Sequence, residues 1–343
     1  MRNITKILCM VGLVMPLILS LFPALVFSFS LPDPETDPTL DNIYLYHSGS
    51  GTYYPAPTAI LYDDFYSFSL PLLALDYAIA NHTNIGPGNP YYVDSTVGKI
   101  KDYIVLATGA SGNPVNTNIP GASDNAYRTP DGNSSPSTFD TTTTPDPGGA
   151  NEFPGDAADS WDIKLGSLLG YLGRNNADPI DNRNLVFFWN NNQTKSGSAA
   201  DENLYGWGEV SLIDNENQLS SITLYFRDLS KPSPYYVLSP GNLDVYLTPN
   251  YDKKSIDHNL GTDQAAFALW SKYLDTNLET WFNQGYDVMQ VKIYLKDLNN
   301  GYEQLFIMPA NITQNIIPEP TSLSLLGLGL LGIIRLRRRK IAR

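Results

Sequence analysis

Proline and glycine interrupt this chain so often that a fold built mainly from helices is closed to it. Twenty-five prolines and 26 glycines are spread over 343 residues. Proline removes a backbone donor and glycine carries the largest entropic cost of any residue in a helix. The 22 tyrosines point the same way, because aromatic side chains suit pleated, half-buried surfaces. A hydrophobic fraction of 42% with only 17% charged residues is enough to bury a core, which argues against wholesale disorder. The formal net charge of -13 would repel a phosphate backbone, so no nucleic-acid partner is expected.

The strand pattern is explicit. Ile43 to Tyr46, Val97 to Thr108, Leu185 to Trp189, Leu204 to Ile213, Leu219 to Phe226, Leu243 to Leu247, Val288 to Leu295 and Glu303 to Met308 are β-branched or aromatic runs bounded by turn residues. Asp214 to Asn217 predicts a hairpin between Gly208–Ile213 and Leu219–Phe226. Asn299-Asn300-Gly301 predicts a second between Val288–Leu295 and Glu303–Met308, because Asn-Gly accepts positive φ. One amphipathic helix is expected over 263–284, where Phe267, Trp270, Leu274, Leu278 and Trp281 recur at spacings of three and four. Thr262 or Asp263 would cap it and Gly285 would end it. Its two tryptophans read as core against a sheet. A shorter helix is expected from Leu72 to Ala80, with Pro71 in its first turn. Residues 109–160 are crowded with Gly, Pro, Ser, Thr, Asn and Asp and read as a long irregular loop or linker, within which Ser137 to Pro145 can carry O-linked sugars. The fold class is therefore mainly β, a β-sandwich-like arrangement of sheets with one packed helix.

Both ends are addresses. Residues 1–30 have a basic start at Arg2 and Lys6, then a long apolar run, with Ser28 and Ser30 as candidate cleavage positions before Leu31. This is the layout of a secretory signal peptide, and signal peptidase is the partner it implies. The only cysteine, Cys9, lies inside that segment, so the exported chain has no disulfide and no thiolate chemistry. At the other end, Pro318-Glu319-Pro320 leads into the apolar run Leu323 to Ile334 and a basic tail of Arg335, Arg337, Arg338, Arg339 and Lys340. A helix over 321–334 would rise about 21 Å, short of a hydrocarbon core of roughly 30 Å, and would span only with snorkelling arginines and local thinning. The basic cluster keeps the tail cytoplasmic and the acidic body outside.

Tripeptide, apolar helix and basic tail in that order at the C-terminus resemble the PEP-CTERM sorting domain of Gram-negative bacteria that make extracellular polysaccharide. The resemblance covers about the last 27 residues. It implies recognition by an exosortase, removal of the tail near the tripeptide, a transient membrane anchor, and delivery to the cell surface or matrix. The chain divides accordingly into a signal peptide at 1–30, an exported body at 31–315, and a sorting signal with its transmembrane helix at 316–343.

Catalytic signals in the body are sparse. The three histidines, His47, His82 and His258, show no metal-ligand spacing, and no Gly-x-Ser-x-Gly, HExxH or phosphate-loop pattern occurs. Asp257-His258 precedes the expected helix, where such residues commonly satisfy backbone donors. Stretches 178–182 and 297–301 resemble fragments of calcium loops, but neither completes the twelve-residue pattern and turns need the same residues, so no cofactor is expected, with calcium as the weaker alternative. The pairs Tyr53-Tyr54, Tyr91-Tyr92 and Tyr235-Tyr236 read as half-buried strand residues, with stacking on sugar rings as the alternative. The expectation is a non-enzymatic surface protein with a structural or adhesive role in the polysaccharide layer. The alternative is a secreted carbohydrate-binding protein or glycoside hydrolase.

Overall fold

The computed structural model describes residues 29–96, 99, 103–108, 126–127, 160–174, 183–193 and 203–313, apart from 217, 249 and 300. Both terminal segments, including the expected membrane helices, and most of the 109–160 loop lie outside the described residues. Among the described residues no helix is long and apolar enough to cross a membrane.

The central layer is an eight-stranded sheet in the order β4 (Ile60–Tyr62), β5 (Phe65–Ser69), β15 (Phe267–Trp270), β9 (Asn184–Asn190), β17 (Tyr302–Thr313), β6 (Tyr103–Thr108) and β7 (Ala126–Tyr127). β1 (Ser30–Pro32) joins it in parallel with the end of β17. A five-stranded sheet runs β11 (Ile222–Phe226), β10 (Leu204–Ile213), β16 (Val288–Lys296) and β8 (Trp161–Lys164), with β12 (Val237–Ser239) on the first residues of β10. A four-stranded sheet runs β14 (Asp252–Asp257), β13 (Asn242–Leu247), β2 (Thr39–His47) and β3 (Thr52–Pro57). The helices are α1 (Leu70–Asn81), α2 (Leu165–Tyr171) and α3 (Lys272–Gln284).

The mainly β reading therefore holds, with one layer more than a simple sandwich. Side chains alternate across a strand, so a sheet buried on both sides needs apolar residues at every position. β9 is such a strand. Leu185, Phe187 and Trp189 enter one core, with Val210, Leu212, Met289 and Val291 of the five-stranded sheet and Leu274, Leu278 and Trp281 of α3. Val186 and Phe188 enter the other, with Ile43, Val245 and Ile256 of the four-stranded sheet and Leu70, Leu72 and Leu75 of α1.

The expected helix over 263–284 is corrected. Its first part is strand: Phe267 to Trp270 pair with Ser69 to Tyr66 on one side, and Phe267 to Leu269 pair with Trp189 to Phe187 on the other. Their backbone groups serve the central sheet, so the helix starts only at Lys272. The cap is Ser271, whose Oγ accepts from Leu274 N at 3.2 Å, rather than Thr262 or Asp263. Gly285 ends the helix as expected, at φ 108° in the left-handed region that glycine enters without strain. Both tryptophans are buried, but Trp270 reaches the core from a strand and Trp281 from the helix. The shorter helix forms as expected, one to two residues longer at each end, with Ser69 as its cap.

Of the two expected hairpins, β10–β11 forms, with Leu212 opposite Ile222. The other does not. β16 pairs with β10 and β8, and β17 pairs with β9 and β6, so the stretch between them joins two different sheets instead of closing a hairpin. Asn299 is buried and its amide donates to Gln193 Oε1 at 2.7 Å, which steers the chain towards the end of β9. A Cβ at Gly301 would lie 1.5 Å from the Asn192 carbonyl oxygen, so glycine is required there by close backbone approach. Within the expected 109–160 loop, Ala126 and Tyr127 pair with β6 and Ser160 is buried.

Two outcomes test this layering. Trp270→Ala should cost about 3 to 5 kcal/mol in a urea melt, because truncation loses transfer energy and leaves a cavity. A loss below about 1 kcal/mol would contradict its burial. At the N-terminus, Phe29 O accepts from Asn311 N at 2.9 Å, the Phe29 ring meets Phe188 edge-on at 5.1 Å, and Ser30 pairs in β1. Cleavage after Ser28 keeps these contacts and cleavage after Ser30 removes them. N-terminal sequencing of the exported protein should read from Phe29 or earlier, not from Leu31.

Candidate functional site

Two surfaces of the body have the shape and chemistry to hold a ligand. The first is a cleft of about 370 Å³ where the central and five-stranded sheets part at their edges. Its walls come from β5 and β15 (Ser67, Ser69, Phe267, Leu269) and from β10 and β16 (Leu204, Gly206, Ile293, Leu295). In β10, Leu204, Gly206, Gly208, Val210 and Leu212 share the core-facing register, opposite Leu295, Ile293, Val291 and Met289; Ile293 Cδ1 and Leu295 Cδ2 occupy the space beside Gly208 and Gly206, 2.4 and 3.2 Å from where a Cβ would lie.

His258, 1% exposed, forms part of the cleft wall. Its ring stacks on Phe267 at 4.9 Å, and its Nε2 is 2.7 Å from Ser69 Oγ. Burial holds the imidazole down at about 4, so it is neutral at pH 7. Nδ1 has no partner. Ser69 Oγ also accepts from Leu72 N at 3.4 Å as the cap of α1. A Ser–His pair of nucleophilic type needs a third group on the far ring nitrogen and free amides to receive an oxyanion. Here Leu70 N donates to Ala266 O, residue 71 is proline, and Leu72 N is taken by Ser69. Asp257 behaves as expected, its Oδ1 accepting from Asn259 N at 2.7 Å. The His258 ring bonds a side-chain hydroxyl and not a backbone donor, which corrects that reading.

The second surface is the outer face of the four-stranded sheet. In β2 the inward Ile43 and Leu45 alternate with the outward Tyr44 and Tyr46, and in β13 the inward Val245 precedes the outward Tyr246. Register then brings Tyr46 opposite Tyr53 and Tyr44 opposite Tyr246. Tyr251, in the turn before β14, stacks on Tyr53 at 4.3 Å and meets Tyr44 edge-on at 5.5 Å. Tyr246 lies 4.9 Å from Tyr53 and 5.9 Å from Tyr46. Five rings thus form one contiguous group, of which Tyr46 and Tyr251 are the most exposed at 45% and 43%. Beside them Lys253 Nζ meets Asp244 Oδ2 at 2.6 Å.

Of the tyrosine pairs singled out from the sequence, only Tyr53-Tyr54 lies in a strand, and of these only Tyr53 belongs to the group. Tyr91 is buried in an irregular segment after α1, and Tyr235 sits in a turn at φ 67°. The strand reading of those two pairs is corrected. The signal that would have found the face was the alternation Ile43-Tyr44-Leu45-Tyr46. The sorting residues Pro318, Glu319, Pro320, Arg335, Arg337, Arg338, Arg339 and Lys340 lie outside the described residues, as does the 178–182 stretch. Among the described residues no three of His, Cys, Asp or Glu gather as a metal site.

Comparison with known families gives two matches. Residues 52–294, which carry most of the cleft and three of the five tyrosines (Tyr53, Tyr246 and Tyr251), match the family described as Domain of unknown function (DUF8239). The chain belongs to that family. Residues 317–340 match the PEP-CTERM protein-sorting motif, so this DUF8239 protein is an exosortase-sorted, exported protein. Neither the curated proteins nor the solved structures contain a match.

One carboxyl just beyond the DUF8239 match is buried in the core. Glu303, at the start of β17, is fully buried; its Oε1 accepts from Gln193 Nε2 at 3.0 Å and its Oε2 has no partner. Burial pushes this carboxyl up to about 8. Unfolded, it would titrate near 4.5. Between those values the native state keeps a proton that the unfolded state has released. Its contribution to stability is therefore complete below pH 4.5 and is lost as pH rises towards 8. Glu303→Gln should flatten that slope and exceed the parent by about 2 kcal/mol or more at pH 9, read as the difference between parent and variant melts at pH 5 and pH 9.

Proposed function

We propose that the exported body is a structural or adhesive component of the extracellular polysaccharide layer, and that it holds polymer on the outer face of its four-stranded sheet. The observation that carries this reading is the group of five tyrosines there. An aromatic ring offers a flat apolar face and, in tyrosine, a hydroxyl at the edge, which suits a sugar ring with its apolar face and equatorial hydroxyls. The delivery signal supports the same reading, since an exosortase-sorted chain is brought to the surface where such polymer is made.

This reading assigns no catalytic step. The hydrolase alternative draws little support from the Ser69–His258 pair, because the nearby amides are already bonded and nothing orients the far side of the imidazole.

Cross-strand aromatic pairs also stabilise a sheet by about 0.2 to 1 kcal/mol each, so the test separates the two roles. The double variant Tyr46→Ala/Tyr251→Ala should lose most of its retention on the host's own extracellular polysaccharide while still unfolding cooperatively, the lost ring contacts costing about 1 to 4 kcal/mol in sum. Undiminished retention by the folded variant would overturn the proposal.

A further inference from the structure

We propose that the cleft between the central and five-stranded sheets binds a single aliphatic chain carried by an uncharged lipid. This site is independent of the tyrosine face and lies on the other side of the four-stranded sheet, whose inward Leu45 and Leu243 contribute to its wall.

The shape comes first. Gly206 faces inward on β10 yet is only half-buried, so the hollow beside it opens outwards. At about 370 Å³ the cleft lies within the range of small-molecule sites, and at roughly 30 Å³ per water-sized group it takes about a dozen heavy atoms.

The chemistry of the walls selects a chain over a sugar. Apart from the indole N–H of Trp189, the side chains of Trp189, Leu204, Phe267, Leu269, Ile293 and Leu295 carry no hydrogen-bonding group. Thr58 Oγ1 is already engaged, donating to Asp37 O at 2.5 Å, and Ser69 serves α1 and His258; the buried His258 Nδ1 stays unbonded, one site against the several hydroxyls of a sugar. A glycan placed here would leave several hydroxyls buried and unbonded, which costs more than the contacts return.

The mouth selects the head group. Ile60 on β4 and Leu238 on β12 are large apolar residues left exposed at the rim, where a chain would cover them. Tyr62, Asp228 and Lys231 supply the polar end. Burial and the Asp228 carboxylate hold the Tyr62 phenol above its ordinary range, so it remains a hydroxyl donor. One acid and one base give the mouth no net charge, and the protein as a whole is strongly acidic. A free carboxylate can pair with Lys231 but meets the Asp228 carboxylate and the acidic body, whereas an alcohol can accept from Tyr62 or Lys231 and donate to Asp228, and an ester can accept from either donor. A peptide adding as a strand is poorly served, because β4 and β12 are three residues long and template too few backbone bonds.

The experiment uses the full-length protein, with dodecanol and dodecanoate as probes. Binding is followed by calorimetry and by the fluorescence of Trp189 and Trp207, which line the cleft. Dodecanol should bind saturably with one chain per protein, and dodecanoate at least tenfold more weakly. Ala59→Phe, which fills the cleft, and Leu238→Asp, which puts a charge on its exposed rim, should each reduce dodecanol binding at least tenfold with an unchanged thermal melt. If one variant fails to fold, the other decides. Absence of saturable dodecanol binding, full-strength binding in a folded variant, or dodecanoate binding as tight as dodecanol would each overturn the proposal. Retention on polysaccharide should be unaffected by Leu238→Asp, so failure here is distinct from failure of the tyrosine face.

Discussion

The structure depends on burying one sheet from both sides. β9 can sit at the middle of the molecule only because Leu185 through Trp189 are apolar without a break, and each of its neighbours then meets the same demand. β15 meets it with Phe267 and Leu269 towards one core and Ala268 and Trp270 towards the other. β17 meets it with Leu305 and Ile307 against Phe306 and Ala310. Once that layer is fixed, a second sheet must cover each face. The cleft arises where the coverage ends, at β4 and β5, beyond the reach of the glycine-bearing end of β10.

Polar groups inside such a core act as fasteners, because each must find a partner in one place only. Arg174, just after α2, sends Nη2 to Asp275 Oδ1 at 2.6 Å and Nε to Arg183 O at 2.8 Å, while Leu185 N donates to the same Asp275 oxygen at 3.0 Å. This buried pair ties α2, α3 and the start of β9 together. Burial alone raises the Asp275 carboxyl, and the arginine opposes it. At the other end of β9, Gln193 bridges Glu303 and the Asn299 amide, and Asn190 donates to Ser95 Oγ at 2.8 Å. That network decides where the chain crosses from the five-stranded sheet to the central one.

Those two arrangements explain where sequence reading went astray. Asn300-Gly301 is a strong turn signal, but a turn signal does not say which strands it joins. Whether the flanking strands pair with each other or with β10 and β9 is set by contacts more than 80 residues away in the chain, such as Asn299 with Gln193. The stripe Phe267, Trp270, Leu274, Leu278 and Trp281 fits one helical period, but the run from Ala265 to Trp270 is apolar at both parities, as a doubly buried strand also requires. Periodicity cannot separate those cases; the free hydrogen-bonding edges of β5 and β9 do. The tyrosine face was half legible, because alternation in β2 is local while its meeting with Tyr246 and Tyr251 depends on strand order.

The sequence by itself determined the destination and the class: a basic-apolar start, a Pro-Glu-Pro tail with its arginine cluster, and a body too rich in proline, glycine and tyrosine for helices. It also determined the local stops and starts, such as Pro71 in the first turn of α1 and Gly285 after α3, because these rest on the φ and hydrogen-bonding limits of single residues. Only the tertiary structure decided that there are three layers, that Trp270 belongs to a strand, that His258 meets Ser69 across 189 positions, and that Gly206 borders an open cleft. The physical reason is that backbone preference acts over a few residues, whereas burial and register are settled by which distant strands compete for the same edge.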